Sequence, residues 1–283
     1  MPSVTLPSAV VNYSEQGQGA PILLLHANPG ERRDFAAVME PLTRLGRVIA
    51  LDWPGFGQSP PMVAGQWVTV EDFYRVLEEF VATLGLRDLV LVGNSLGGNA
   101  AVKLAARHPH WVRGLVLVAP GGFTPRNWLT QGFCRLQGSA LSLSPYRFAR
   151  FYIKRKTAVS SAMLARAHDE QSAAEPVALG RALWRSFGQP ENDLTEIAPK
   201  VRAPCLLVFG AEDPVIRAQL DGERALQLLP HAERVILPCG HVAFAELPEP
   251  FLQAVYGFMA GLNPPSRLQN ENVTIGDLDS EVS

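Results

Sequence analysis

The chain has 283 residues, 47% of them hydrophobic and 18% charged, a composition that suits one large globular domain or a domain carrying an insertion. Its formal net charge of −2 gives no overall attraction to nucleic acid. No run of about 18 uncharged apolar residues is present, so a transmembrane helix is not expected.

The opening "MPSVTLPSAVVNYSEQGQG" lacks a basic region followed by an apolar core, so no secretory signal is expected. Its pieces "VTL" and "AVVNYSEQG" read as an antiparallel edge hairpin. The aliphatic run "PILLLHANPG" then precedes the helical pattern "ERRDFAAVMEPLTRLG", and "RVIALDWPGFG" precedes "TVEDFYRVLEEFVATLG". "LRDLVLVGNS" leads into "LGGNAAVKLAARHP", and "VRGLVLVAPGG" follows. Near the end "PCLLVFGAEDP" precedes "IRAQLDGERALQLLP", and "ERVILPCG" precedes "HVAFAELPEPFLQAVYGFMAGL". Continuous apolar runs suit strands buried on both faces, and their alternation with helices predicts an α/β fold with a mainly parallel sheet.

The stretch 124–199 breaks this rhythm with short helical pieces such as "SSAMLARAHDEQ" and "ALGRALWRSF". Structureless loops longer than about 12–15 residues are uncommon, so it reads as an inserted helical cap. The expected organisation is a core over 1–123 and 200–262, a cap over 124–199 and a polar, flexible tail over 263–283. The cysteines, Cys134, Cys205 and Cys239, are odd in number and far apart. They predict neither a disulfide framework nor a zinc site, and they point to a reducing, cytoplasmic compartment.

The stretch "LVGNSLGGNA" carries G-x-S-x-G centred on Ser95, between a strand pattern and a helix pattern. A tight strand-to-helix turn would hold the serine at the carboxyl end of the sheet and place the Leu96 amide at a helix N-terminus, ready to donate to an oxyanion. Neither phosphate-loop signature fits: no Lys-Ser/Thr pair follows Gly97, and the dinucleotide spacing of glycines is absent.

A serine hydroxyl needs a base, and histidine is the usual one near neutral pH. Of six histidines, His241 alone follows a late strand, through "LPCGH", and returns to the carboxyl edge. His26 reads as a brace for the loop after an early strand, while His108, His110, His168 and His231 fall in turns or in the cap. The acid expected to orient His241 is Asp213 in "VFGAEDPV", just beyond a buried strand, where the alternative is a plain Asp-Pro turn; Glu212 beside it is expected to point elsewhere.

Taken together, these residues resemble the α/β-hydrolase fold of the capped type, over about Pro21 to Leu262, with the chain order Ser…Asp…His. The resemblance implies an eight-stranded sheet. "HANPG" is similar to the family's H-G-x-P-G loop, which implies the Asn28 amide as a second oxyanion donor beside Leu96, with Ala27 where glycine is usual. "LDWPGFGQS" resembles a structural D-x-x-G-x-G-x-S segment.

A serine nucleophile disfavours the dehalogenase and epoxide hydrolase chemistries of this scaffold, which use aspartate. The preferred expectation is a serine hydrolase of the carboxylesterase type, acting through an acyl-enzyme on an ester, thioester or lactone. "GNSLGG" and "VAPGG" also look like the C–C hydrolases of ring-fission pathways, although those carry a longer glycine-rich loop; haloperoxidase and hydroxynitrile lyase chemistry use the same residues. From another class stands a non-catalytic ligand-binding protein on the same fold. The expected partner is a small apolar or amphipathic acyl substrate, with no cofactor, metal or nucleic acid. "SPYRFARFYIKRK" in the cap reads either as an aromatic entrance with a basic rim or, preferably, as an amphipathic helix with solvated charges.

Overall fold

Runs of β-branched and aliphatic residues place the sheet, because only strands buried on both faces tolerate such continuous apolar sequence. The computed structural model describes residues 2–62, 68–229 and 231–262. The described residues form one eight-stranded sheet. Its strands are β1 (Ser3–Thr5), β2 (Val10–Gln16), β3 (Pro21–Leu25), β4 (Arg47–Leu51), β5 (Leu89–Asn94), β6 (Val112–Val118), β7 (Cys205–Gly210) and β8 (Ala232–Leu237). The spatial order is β1-β2-β4-β3-β5-β6-β7-β8. β1, β2 and β4 pair antiparallel, as the edge-hairpin reading expects, and every pairing from β4 to β8 is parallel. β3 and β5 lie at the centre, where their aliphatic side chains are buried on both faces. β8 departs from the expectation: it is an edge strand, so only Leu237 of its six residues is fully buried.

Helices α1 (Ala36–Leu42), α2 (Val70–Thr83) and α3 (Leu96–Arg107) follow β3, β4 and β5. α2 starts at a capping box, with Thr69 Oγ1 accepting from the Asp72 N–H and the Asp72 carboxylate accepting from the Thr69 N–H. Between β6 and β7 the chain makes four helices, α4 (Trp128–Gln137), α5 (Pro145–Tyr152), α6 (Ala158–Glu170) and α7 (Ala174–Phe187). Then come α8 (Asp221–Leu228), between β7 and β8, and α9 (Ala243–Glu246) and α10 (Pro248–Gly261) after β8. α8 begins later than the pattern from Ile216 suggests: the Arg217 carbonyl accepts from the Leu220, Asp221 and Gly222 amides and the Asp221 carboxylate accepts the Arg217 N–H, which holds 217–221 as a turn. α5 is amphipathic as preferred: Phe148 and Tyr152 are buried while Arg147 and Arg150 face solvent.

None of the described helices is long and apolar enough to cross a membrane. The expected tail, 263–283, lies outside the described residues.

Candidate active site

All the parallel strands point their carboxyl ends the same way, so the loops after β3, β5, β7 and β8 gather on one edge of the sheet. Ser95 occupies the turn between β5 and α3 with φ 51° and ψ −104°, a conformation that non-glycine residues rarely adopt. The flanking glycines explain how so sharp a turn fits. A Cβ on Gly93 would lie 2.5 Å from the Gly97 carbonyl oxygen, and one on Gly97 would collide with the Leu25 carbonyl. The Ser95 N–H donates to Val118 O at 3.1 Å, and its carbonyl accepts from Gly121 N at 2.9 Å and Asn99 N at 3.0 Å. These bonds hold the strained residue from both neighbouring segments.

Asp213 and His241 meet across the ends of β7 and β8. His241 Nδ1 lies 2.6 Å from Asp213 Oδ2, and both side chains are buried. A carboxylate can only accept, so Nδ1 carries the proton and Nε2 is left as the basic nitrogen. Asp213 Oδ1 is fixed by the Val215 N–H at 2.8 Å and the Ile216 N–H at 3.2 Å. Asn94, the residue before Ser95, donates from Nδ2 to His241 O at 3.2 Å and to Val118 O at 2.9 Å, which ties the serine turn to the histidine loop. Glu212 turns away, exposed and paired with Arg155.

Ser95 and Asn28 both line a cavity of about 330 Å³ whose wall is mainly apolar, with Phe133, Trp184 and Phe187 among its residues. Arg126 and Arg217 are the cations in that wall. Leu96 is buried at the first position of α3, where a helix leaves its amides without intrahelical partners. Ala27 fits without strain, since positive φ in non-glycine residues is confined, among the described residues, to Asp88, Ser95 and Ala119. Among the described residues no group of histidines, cysteines and carboxylates could hold a metal ion.

His26 braces this loop. Its Nδ1–H donates to Ala27 O at 2.7 Å and its Nε2 accepts from the Trp53 N–H at 3.0 Å, so both ring nitrogens are engaged. Burial lowers its pKa from 6.5 to about 4, against the opposing pull of Asp52. Neutral His26 therefore contributes stability that is present above pH 6.5 and is lost as pH falls toward about 4. At about pH 5, where an unperturbed histidine is charged, nitrogen NMR should find His26 neutral with the proton on Nδ1; a charged ring there would contradict this arrangement. The segment Asp52 to Ser59 is structural: the Asp52 carboxylate accepts from the Arg32 N–H at 2.8 Å and the Gln58 N–H at 2.9 Å, and Gly57, at φ 56°, leaves no room for a Cβ beside it.

Three features here escape sequence reading. The buried Glu246 carboxylate accepts from the N–H groups of Gly240 (3.0 Å), Val242 (3.2 Å), Lys154 (2.7 Å) and Arg155 (2.7 Å). It thereby grips both sides of His241 and the end of α5. Its one signal is a carboxylate amid the apolar "VAFAELP". Tyr152 packs its ring 5.3 Å from that of His241 and accepts the His241 N–H on its carbonyl at 3.1 Å. Arg166 of α6 reaches Asp34 Oδ1 at 2.5 Å and Glu31 Oε1 at 3.0 Å, tying the helical insertion to the loop after Asn28. Burial pushes the Asp34 carboxyl up to about 7, even against Arg166.

A family model for the alpha/beta hydrolase fold matches residues 20–248. The chain belongs to that family. This α/β hydrolase is 31% identical over 265 residues to the 2-hydroxymuconate semialdehyde hydrolase of Pseudomonas putida, covering 88% of the chain and 90% of that relative. It is 30% identical over 217 residues to the dihydrolipoyllysine-residue acetyltransferase component of the acetoin cleaving system of Cupriavidus necator. That match covers 74% of this chain, which spans only about half (56%) of that relative's length. Among solved structures it is similar to a membrane phospholipase A described as a bacterial virulence factor. There the TM-score is 0.77 and the identity 27%, over 92% of this chain and 85% of the other. The family, the enzyme class of hydrolase and the eight-stranded sheet agree with the sequence-based expectations.

Proposed function

We propose that this hydrolase works through a Ser95–His241–Asp213 triad and an acyl-enzyme, on a carboxylic ester, thioester or lactone. The observation that carries the reading is Ser95 on a strained turn, lining a mainly apolar cavity, at the same sheet edge as a buried Asp213–His241 pair. In this mechanism Ser95 Oγ attacks the carbonyl carbon while His241 Nε2 takes its proton. The amides of Asn28 and Leu96 receive the oxyanion, and the Nδ1–H bond to Asp213 stabilises the imidazolium that forms. His241 then gives the proton to the leaving group, and a water activated by the same nitrogen releases the acid. The insertion 124–199 serves as a cap over a core of 1–123 and 200–262, and its Phe133, Trp184 and Phe187 select an apolar or amphipathic acyl group. Three free cysteines, two of them buried, suit the cytoplasm.

A second reading, C–C bond hydrolysis of a ring-fission product, is favoured by the names of relatives at 29–31% identity covering 88% of the chain. Turnover of p-nitrophenyl esters of several chain lengths, of lactones and of ring-fission dienoates separates the two. The ester reading expects kcat/KM on the best ester or lactone to exceed that on any dienoate by about tenfold or more. The reverse ranking would establish C–C hydrolysis, and no turnover of any substrate would favour a ligand-binding protein.

A further inference from the structure

α4 is built inside out. Its inward and half-buried positions carry Thr130, Gln131, Cys134 and Gln137, whereas Trp128, Leu129, Phe133 and Leu136 face solvent together with Gly132 and Arg135. At 100° per residue the four large apolar side chains fall within an arc of about 140°. Trp128 is 79% exposed, and Leu141 on the turn that follows is 81% exposed. Leu143, on the same turn as Leu141, is exposed too; among the described residues the other exposed large hydrophobics are Phe151, Leu220 and Ile236. Phe133 of α4 and Phe148 of α5 pack edge-on against the one Trp184, at 5.3 and 5.4 Å, and Gln137 Oε1 accepts the Leu143 N–H at 3.1 Å. The turn at 141–143 is therefore tied to the end of α4, and α4 and α5 pack against the same Trp184. Contiguous apolar patches of this kind mark interaction sites.

Charge decides which occupant fits. No aspartate or glutamate occurs from 89 to 168, although the whole chain is net negative. Exposed Arg135, Arg147 and Arg150 flank the patch. The one acid of α7, which backs α4, is Glu175 in its first turn, whereas α4 lies against the other end through Arg185 and Gly188. Asp169 and Glu170 end α6, which packs on α5 through Tyr146 and His168, so the carboxylates beside this face sit on its α5–α6 side, and a symmetric dimer centred on α4 would still set Arg135 against its own copy. An anionic bilayer instead accepts apolar side chains between its headgroups and basic ones at its phosphates.

We propose that this face docks the protein peripherally on an anionic phospholipid surface. Trp128, Leu136 and Leu141 enter the headgroup region, and Arg135, Arg147 and Arg150 pair with lipid phosphates. Leu129 and Phe133 line both this face and the Ser95 cavity, so a docked molecule opens its cavity toward the lipid. Docking itself does not depend on the proposed hydrolysis; uptake of a lipid acyl group does.

The test is co-sedimentation of the full chain with vesicles of phosphatidylcholine alone or mixed with phosphatidylglycerol. The mixed vesicles should bind about tenfold more tightly, an advantage that fades as added salt shortens the screening length. The double variant Trp128→Ser, Leu136→Ser should lose about tenfold in affinity, because neither side chain lines the cavity or sits in the core. Arg135→Glu with Arg150→Glu should abolish the preference for phosphatidylglycerol, and brominated lipid should quench Trp128 in the wild type. Ser95→Ala should bind like the wild type, which separates docking from hydrolysis. No binding to mixed vesicles, or equal binding by the serine double variant, would overturn the proposal. So would a concentration-dependent dimer that the double variant abolishes, which would make a second copy the occupant.

Discussion

Ser95→Ala should lower kcat for a p-nitrophenyl ester by about 10⁵- to 10⁶-fold, the order of loss when a triad nucleophile is removed. Alanine keeps the Cβ and removes only the oxygen that would form the acyl bond. The Asn28 and Leu96 amides remain, so turnover should stay above the uncatalysed rate by about 10³-fold. The variant also inherits the backbone of the turn at φ 51°, since alanine and serine are equally strained there. Its unfolding free energy should therefore stay within about 0.5 kcal/mol of the wild type. A loss of activity with unchanged urea unfolding assigns the effect to chemistry, and a loss accompanied by unfolding would not.

Asp213→Asn should cost about 10⁴-fold in kcat without loss of fold. The asparagine oxygen can still accept from the Val215 and Ile216 amides that now hold the carboxylate. Its amide group, however, donates where the carboxylate accepted. The imidazole must then turn Nδ1 into an acceptor, the proton moves to Nε2, and the ring can no longer take the serine proton. Glu212→Gln is the control, because Glu212 is exposed and meets Arg155 on the surface. Full activity in Asp213→Asn, or an equal loss in Glu212→Gln, would move the acid away from Asp213.

Much of the scaffold was legible because strands buried on both faces announce themselves locally. "ILLL", "VIAL", "LVLVG" and "CLLVFG" each became a strand of the sheet. The tight turn that carries Ser95 was legible for a related reason: glycines on either side are needed where strand and helix backbones nearly touch. The meeting of Asp213 and His241 was legible from their places just beyond two late strands, which pair side by side. Glu246 was not, because its role lies in bonds to amides 91 and 92 residues away in sequence, and no periodicity encodes those. The same holds for Arg166, which meets Asp34 across 132 residues. β8 read as buried because its apolar side chains look the same at an edge as at a centre; only the strand order tells them apart. The outward face of α4 was hidden too, since an apolar stripe is ordinarily taken to point inward.

The central claim, a covalent intermediate on Ser95, is tested most directly by intact-protein mass spectrometry after reaction with a fluorophosphonate probe. One adduct per chain, mapped to Ser95 by peptide analysis and absent from Ser95→Ala, is the predicted result. Equal labelling of both proteins, labelling of neither, or an adduct on another residue would contradict it.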